Sequence, residues 1–148
     1  MSISYAVICL ALNIYFEARG ESISAQAGVG YVTVNRANNK DTGICQAVFE
    51  RGEFSWTRGR KKIKIDDNVE LSNEEAFSEE FLRKNKIKEM YAWEDAIEMA
   101  EGVINKKVRN PIGKSTHFYS GTYRPYWAKS KKMRIISRIN GFTFFKEV

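Results

Sequence analysis

Of the 148 residues, the side chain best suited to chemistry is Glu17. It closes a run, Ile3 to Ala18, that is apolar almost all round and sets Tyr15 and Phe16 directly before it. A carboxyl group in such surroundings is partly desolvated, which disfavours its charged form and raises its pKa. A glutamate so placed is a proton donor near neutral pH, as acid-catalysed cleavage of a glycosidic bond requires. The plainer reading is a helix-end carboxylate paired with Arg19 or another arginine. Glu21 lies four positions on, beyond Gly20, and is either a second active-site carboxylate or a cap for the helix that follows. A third carboxylate, Glu53, opens the stretch Glu53-Phe54-Ser55-Trp56. Aromatics beside polar side chains there suit a sugar ring, whose apolar face stacks while its hydroxyls hydrogen-bond.

His117 is the one histidine, in Ser115-Thr116-His117-Phe118-Tyr119. Without a clear serine or cysteine partner it makes a poor triad member, and a hydrogen-bonded structural or substrate-orienting role fits it better. Downstream, Tyr123, Tyr126 and Trp127 stand among Arg124, Lys129, Lys131 and Lys132. Aromatics interleaved with cations also describe a nucleic-acid surface, so a basic nucleic-acid-binding module is the alternative from another class. One histidine and two cysteines exclude a zinc site of several His or Cys ligands and a disulfide framework. No metal or cofactor is expected. Cys9 and Cys45 allow one bridge at most, and two free thiols is the favoured reading.

These residues need elements to position them. The apolar run Ile3 to Ala18 reads as a buried helix, stopped near Gly20 by the left-handed conformation glycine takes readily. Ser22 or Ser24 caps a second helix running to about Asn38. Gly28 and Gly30 inside it lower helix propensity and imply close packing against a neighbour. A short apolar turn, Ile44 to Phe49, precedes a loop of Gly, Ser, Trp and basic residues reaching about Asp67. Ser72 begins a charged helical stretch ending near Lys86. Met90, Trp93, Ile97, Ala100 and Ile104 then recur at helical spacing with acidic residues between them, so Trp93 reads as packing. Asn110-Pro111 and Gly113 punctuate a loop, and Asn140-Gly141 between Arg134–Ile139 and Phe142–Val148 is a hairpin signal. The expectation is a mainly α (α+β) single domain over 1–148, finishing in a C-terminal β-hairpin.

Composition is that of an ordinary globular domain, with 43% hydrophobic and 28% charged residues. Disordered tails, collagen-like repeats and coiled-coil rods are excluded, and no apolar run approaches the roughly 20 residues of a membrane span. Charge is uneven. Residues 1–105 hold 13 basic and 17 acidic side chains, whereas residues 106–148 hold 11 basic and one acidic. Arg58 to Lys64 adds five cations in seven positions. Such asymmetry suits a polyanionic partner: nucleic acid, an anionic lipid surface or a wall polymer.

Tyr15-Phe16-Glu17-Ala18-Arg19-Gly20-Glu21 resembles the Glu-Ala-Arg-Gly-Glu signature of the SleB/CwlJ-type cell-wall hydrolases. The resemblance continues in order through Gln26 and Asn35-Arg36, Ile44-Cys45, Val48-Phe49 and the helix Trp93 to Ile104. It ends in Thr116-His117-Phe118-Tyr119, Arg124-Pro125, Trp127-Ala128, Ser130 and the terminal hairpin. It implies a lysozyme-like helical fold that cleaves the bond between N-acetylmuramic acid and N-acetylglucosamine. Glu17 then takes the catalytic glutamate position, with Glu21 beside it. Glu53, Phe54, Ser55, Trp56, Thr116, His117, Tyr119 and Trp127 bind substrate. Two residues depart from the family pattern: Glu53 stands for the usual glutamine, and Tyr119 for a second histidine. Peptidoglycan amidases hold zinc with several histidines, so amidase chemistry fits poorly. A lytic transglycosylase needs one glutamate, whereas hydrolysis needs a second carboxylate. The expected partners are peptidoglycan glycan strands and the anionic wall surface, with no required nucleic acid, and the expected state is a monomer. The short apolar start has no basic residue before it and makes a poor signal peptide. The corresponding expectation is a phage endolysin made in the host cytoplasm and acting on the wall after release, with a bacterial wall hydrolase whose leader has been removed as the alternative.

Overall fold

A computed structural model describes residues 1–50 and 66–148. Helix α1, Tyr5–Ala18, is capped by Ser4, whose hydroxyl accepts from the Val7 N–H. Val7 through Tyr15 and Ala18 are buried, so the helix runs through the core as its apolar circumference requires. It stops where Gly20 turns left-handed, at φ +79°.

Helix α2, Ile23–Lys40, starts on Ser22, whose hydroxyl accepts from Ala25 N–H. Fully buried Asn13 donates from Nδ2 to Thr33 Oγ1 at 2.9 Å, tying α1 to α2 through one satisfied polar pair. Gly28 and Gly30 permit the approach of neighbours. A Cβ on Gly28 would sit 2.6 Å from Phe144 Cζ, and one on Gly30 would sit 3.2 Å from Val103 Cγ2.

The apolar turn at Ile44–Phe49 is a helix, α3. Its free N-terminal amides are capped by a residue distant in the chain: Ile44 and Cys45 N–H donate to the two Asp67 carboxylate oxygens at 2.7 and 2.9 Å. Cys9 and Cys45 form a disulfide, against the expectation of two free thiols. The packing of α3 on α1 brings their Cα atoms to 5.2 Å, a separation set by tertiary structure that spacing in the chain does not reveal.

The charged stretch after Ser72 is two short helices, α4 Asn73–Ala76 and α5 Glu79–Lys84. Ser78 interrupts it by capping a new start, its hydroxyl accepting from Phe81 N–H. Helix α6, Met90–Ile104, buries Trp93, Ile97, Ala100 and Val103. Trp93 is fully buried and donates from its indole nitrogen to Ala76 O at 3.0 Å, so it is a packing residue.

Among the described residues, five short strands complete the fold. β1, Ser2–Ser4, pairs antiparallel with β2, Glu70–Ser72. β3, His117–Ser120, β4, Met133–Ile139, and β5, Phe142–Glu147, form a sheet in the order β3-β5-β4. The β4–β5 hairpin turns at Asn140-Gly141, both left-handed, with φ +46° and +86°. Phe142 and Phe144 of β5 join the main apolar cluster with α1, α2 and α6. The chain is thus mainly α with a small C-terminal sheet, and no helix among the described residues is long and apolar enough to cross a membrane.

Candidate functional site

Glu17 occupies the last turn of α1, where the helix leaves the core. Tyr15, two residues before it, is fully buried and pinned by its hydroxyl, which accepts from Lys88 and Glu89 N–H at 3.0 Å each. Phe16 packs edge-on to Tyr15 with ring centroids 5.0 Å apart. Glu17 is half-buried on this rigid base. Burial pushes its carboxyl from an ordinary 4.5 up to about 7, against the opposing pull of the Arg36 guanidinium.

The arginine beside Glu17 is therefore Arg36. Arg19 turns elsewhere, pairing with Glu89 at 2.7 Å and lying over the Tyr15 ring. Arg36 is buried on α2 and donates from Nε to Thr116 O at 2.6 Å. Its neighbour Asn35 donates from Nδ2 to Gly113 O and Ser115 O at 2.9 and 2.8 Å. Two consecutive polar residues on an otherwise core-facing helix thus clamp the segment entering β3.

That segment carries the second group of candidates. Thr116 Oγ1 and His117 Nδ1 share a hydrogen bond of 2.9 Å. Alternation along β3 sends Phe118 inward onto Phe142 and Phe144, with centroids 5.9 Å away in each case. His117 and Tyr119 take the other face. The His117 ring lies 5.2 Å from Trp127 and Tyr119 lies 6.3 Å from it, with Phe145 stacked under Tyr119 at 5.7 Å. Trp127 stands in a single 3₁₀ turn, Tyr126–Lys129, which Arg124 braces by donating to Ala128 O at 3.1 Å.

The structure brings Thr116, His117, Tyr119 and Trp127 into one cluster, joined to Glu17 through Arg36. Glu21 is exposed beyond the Gly20 turn; its carbonyl accepts from Gln26 Nε2, and the cap of α2 is Ser22, not Glu21. Glu53, Phe54, Ser55 and Trp56 lie outside the described residues, as does the basic run Arg58 to Lys64. Among the described residues, no three His, Cys, Asp or Glu side chains gather to hold a metal ion. Arg36, Asn35 and Phe145 were not singled out as site residues in the sequence. The available signal was the Asn35-Arg36 pair itself, a charge and an amide set in an apolar helix.

A carboxyl protonated to about pH 7 beside a fixed guanidinium can deliver a proton and then, once ionised, be stabilised as a base. The face of imidazole, phenol and indole, on the strand whose entry Arg36 braces, offers stacking surface with polar edges. No curated protein and no solved structure matches the chain. A family match does cover residues 20–145, opening inside the Glu-Ala-Arg-Gly-Glu motif, so Glu17 itself is assigned by its surroundings. By that match, spanning most of its length, the chain belongs to the cell wall hydrolase family, enzymes that degrade peptidoglycan.

Proposed function

We propose that the chain is a single catalytic domain that cleaves the glycosidic bond between N-acetylmuramic acid and N-acetylglucosamine as a lytic transglycosylase. One observation carries this reading: the Glu17 carboxyl, pushed up to about 7 by burial, at the exposed end of a core helix. Glu17 gives its proton to the glycosidic oxygen, which departs as a sugar hydroxyl while C1 of the muramyl ring gains positive charge. The resulting carboxylate takes the proton of the muramyl 6-hydroxyl, whose oxygen closes on C1 to form the 1,6-anhydro ring. The proton that left Glu17 is thereby replaced, and no second carboxylate is consumed. Arg36 lies close enough to stabilise the ionised form in mid-cycle. His117, Tyr119 and Trp127 supply a sugar-stacking face, and Glu53 to Trp56 are assigned to substrate binding with them. The same reading makes the chain a monomeric lysis enzyme of the endolysin kind, acting on the wall from a cytoplasmic origin.

Two measurements test it. General acid–base catalysis is worth roughly 10²–10⁴-fold, so Glu17→Gln is expected to fold normally and lose activity on that scale. Glu21→Gln is expected to be milder. A folded Glu17→Gln protein with wild-type rates would remove Glu17 from the mechanism. Mass spectrometry of digested peptidoglycan is expected to find anhydromuramic ends. Reducing muramic ends would mean that water attacks C1, and would point to Glu53 or Glu21 as the second carboxylate of a muramidase.

A further inference from the structure

A groove of about 510 Å³ opens on the side of the molecule where α2 begins, lined by Ser24, Arg109, Pro111, Arg138, Ile139 and Asn140. Two side-chain bonds between elements hold its walls in place. Ser22 donates from its hydroxyl to Asn140 Oδ1 at 2.8 Å, joining the start of α2 to the tip of the hairpin. Ser137 donates to Pro111 O at 3.0 Å, joining the 109–113 loop to β4. That loop is itself braced by Asn110, which donates to Gly113 O and accepts from Ile112 N–H, each at 2.9 Å. The groove therefore exists before any ligand arrives.

Its chemistry is one-sided. Among the described residues, Arg109 and Arg138 are exposed, neither pairs with a carboxylate, and no acidic side chain lines the groove. Ser24 adds a hydroxyl in the first turn of α2, where the helix dipole is positive. Asn140 spends its oxygen on Ser22, which leaves its amide N–H groups to donate. Pro111 and Ile139 add small apolar surfaces. Planar guanidiniums match carboxylates and phosphates bidentately, whereas lysines serve as point charges. The ligand class is thus an oxyanion on a short chain, and the apolar surfaces of Pro111 and Ile139 suit a peptide carboxylate with small apolar side groups better than a polyol phosphate.

We propose that this groove binds the stem peptide of peptidoglycan through its free carboxylates, with Arg109 and Arg138 as the recognition pair. The inference rests on the glycosidase reading, because the stem peptide hangs from the muramic acid whose C1 is attacked. Ser24 follows Glu17 by seven positions across the α1–α2 turn, so the two lie no more than about 25 Å apart. A four-residue stem spans about 14 Å, so the groove takes the stem of the reacting muramic acid or of a neighbouring repeat on the same strand. The anhydro-forming centre would then read a cross-linkable peptide as well as a glycan strand.

The test is an NMR titration of the full chain with the tetrapeptide L-Ala–γ-D-Glu–L-Lys–D-Ala, with a glycerol phosphate oligomer as the competing probe. The tetrapeptide is expected to shift the resonances of residues 109 and 138–140 saturably. Arg109→Gln and Arg138→Gln are each expected to weaken it roughly 1.5- to 5-fold, as for exposed charge pairs. On purified walls the same variants are expected to raise KM with kcat unchanged, and to match wild type on glycan strands stripped of peptide. No shift in the groove, affinity indifferent to both substitutions, or tighter binding of the phosphate oligomer at the same residues would each overturn the inference. Peptide binding in a protein that cuts no wall would keep the groove and remove the glycosidase reading. Wall cleavage without peptide binding would do the reverse.

Discussion

A carboxyl that holds its proton to about pH 7 has consequences for rate and for stability. As a general acid, Glu17 works only while protonated, so activity is expected to fall as pH rises through 7, a limb absent from the residual rate of Glu17→Gln. For stability the sign is the reverse of the usual carboxylate. Below pH 4.5 Glu17 is protonated both folded and unfolded, and its burial carries no charge penalty. Between 4.5 and 7 the unfolded chain releases the proton while the folded one retains it, so stability falls through that window and stays low above it. Glu17→Gln is therefore expected to equal wild type in unfolding free energy near pH 4 and to exceed it at pH 8 by about 1–3 kcal/mol. Equal free energies at both pH values would mean that burial does not raise the carboxyl. Glu17 was legible in the sequence because its burial is local, written into the apolar residues of its own helix. Arg36 was not, because its pull on Glu17 acts between two helices. The aromatic face of His117, Tyr119 and Trp127 was half legible: the residues stood out, but only β3 pairing with β5 puts two of them on one side.

Among the elements, α2 carries the tightest constraint. Gly28 faces Phe144, which is fully buried and has nowhere to move. Alanine would favour the helix by about 0.5–1 kcal/mol, but overpacking of this kind costs about 1–3 kcal/mol. Gly28→Ala is expected to lower the urea midpoint, and an unchanged or higher midpoint would mean that the β5 contact gives way easily. The long helices and the Asn140-Gly141 hairpin were readable because each has a period or a turn signature that repeats over many residues. Strands β1, β2 and β3 have three or four residues each, too few for alternation to show. The break between α4 and α5 turns on the single hydroxyl of Ser78, which a continuous run of charged residues conceals.

For the molecule as a whole, the uneven charge becomes a surface. Among the described residues, Lys114, Lys132 and Lys146, with Glu147 as the one acidic side chain, line a second hollow of about 440 Å³ that includes Thr116 beside the aromatic face. Attraction of an anionic wall to such a surface is expected to weaken with salt, because the Debye length shrinks from about 10 Å at 0.1 M to about 3 Å at 1 M. Binding to purified walls that is unaffected by this change would count against charge as its source. Tight nucleic-acid binding without any loss of wall turbidity would favour the competing binding module. The Cys9–Cys45 bond adds a property of another kind. It fastens the helix of Glu17 to the one that leads into residues 51–65, and both cysteines are buried. A cross-link closing a loop of 36 residues contributes about 2–4 kcal/mol. Cys9→Ala/Cys45→Ala is expected to melt about 5–15 °C lower, and coincident melting curves would refute it. The chain thus has two rigidities without any change of composition. It is softer in a reducing medium and firmer in an oxidising one, so its lifetime depends on the redox history of the place it has reached.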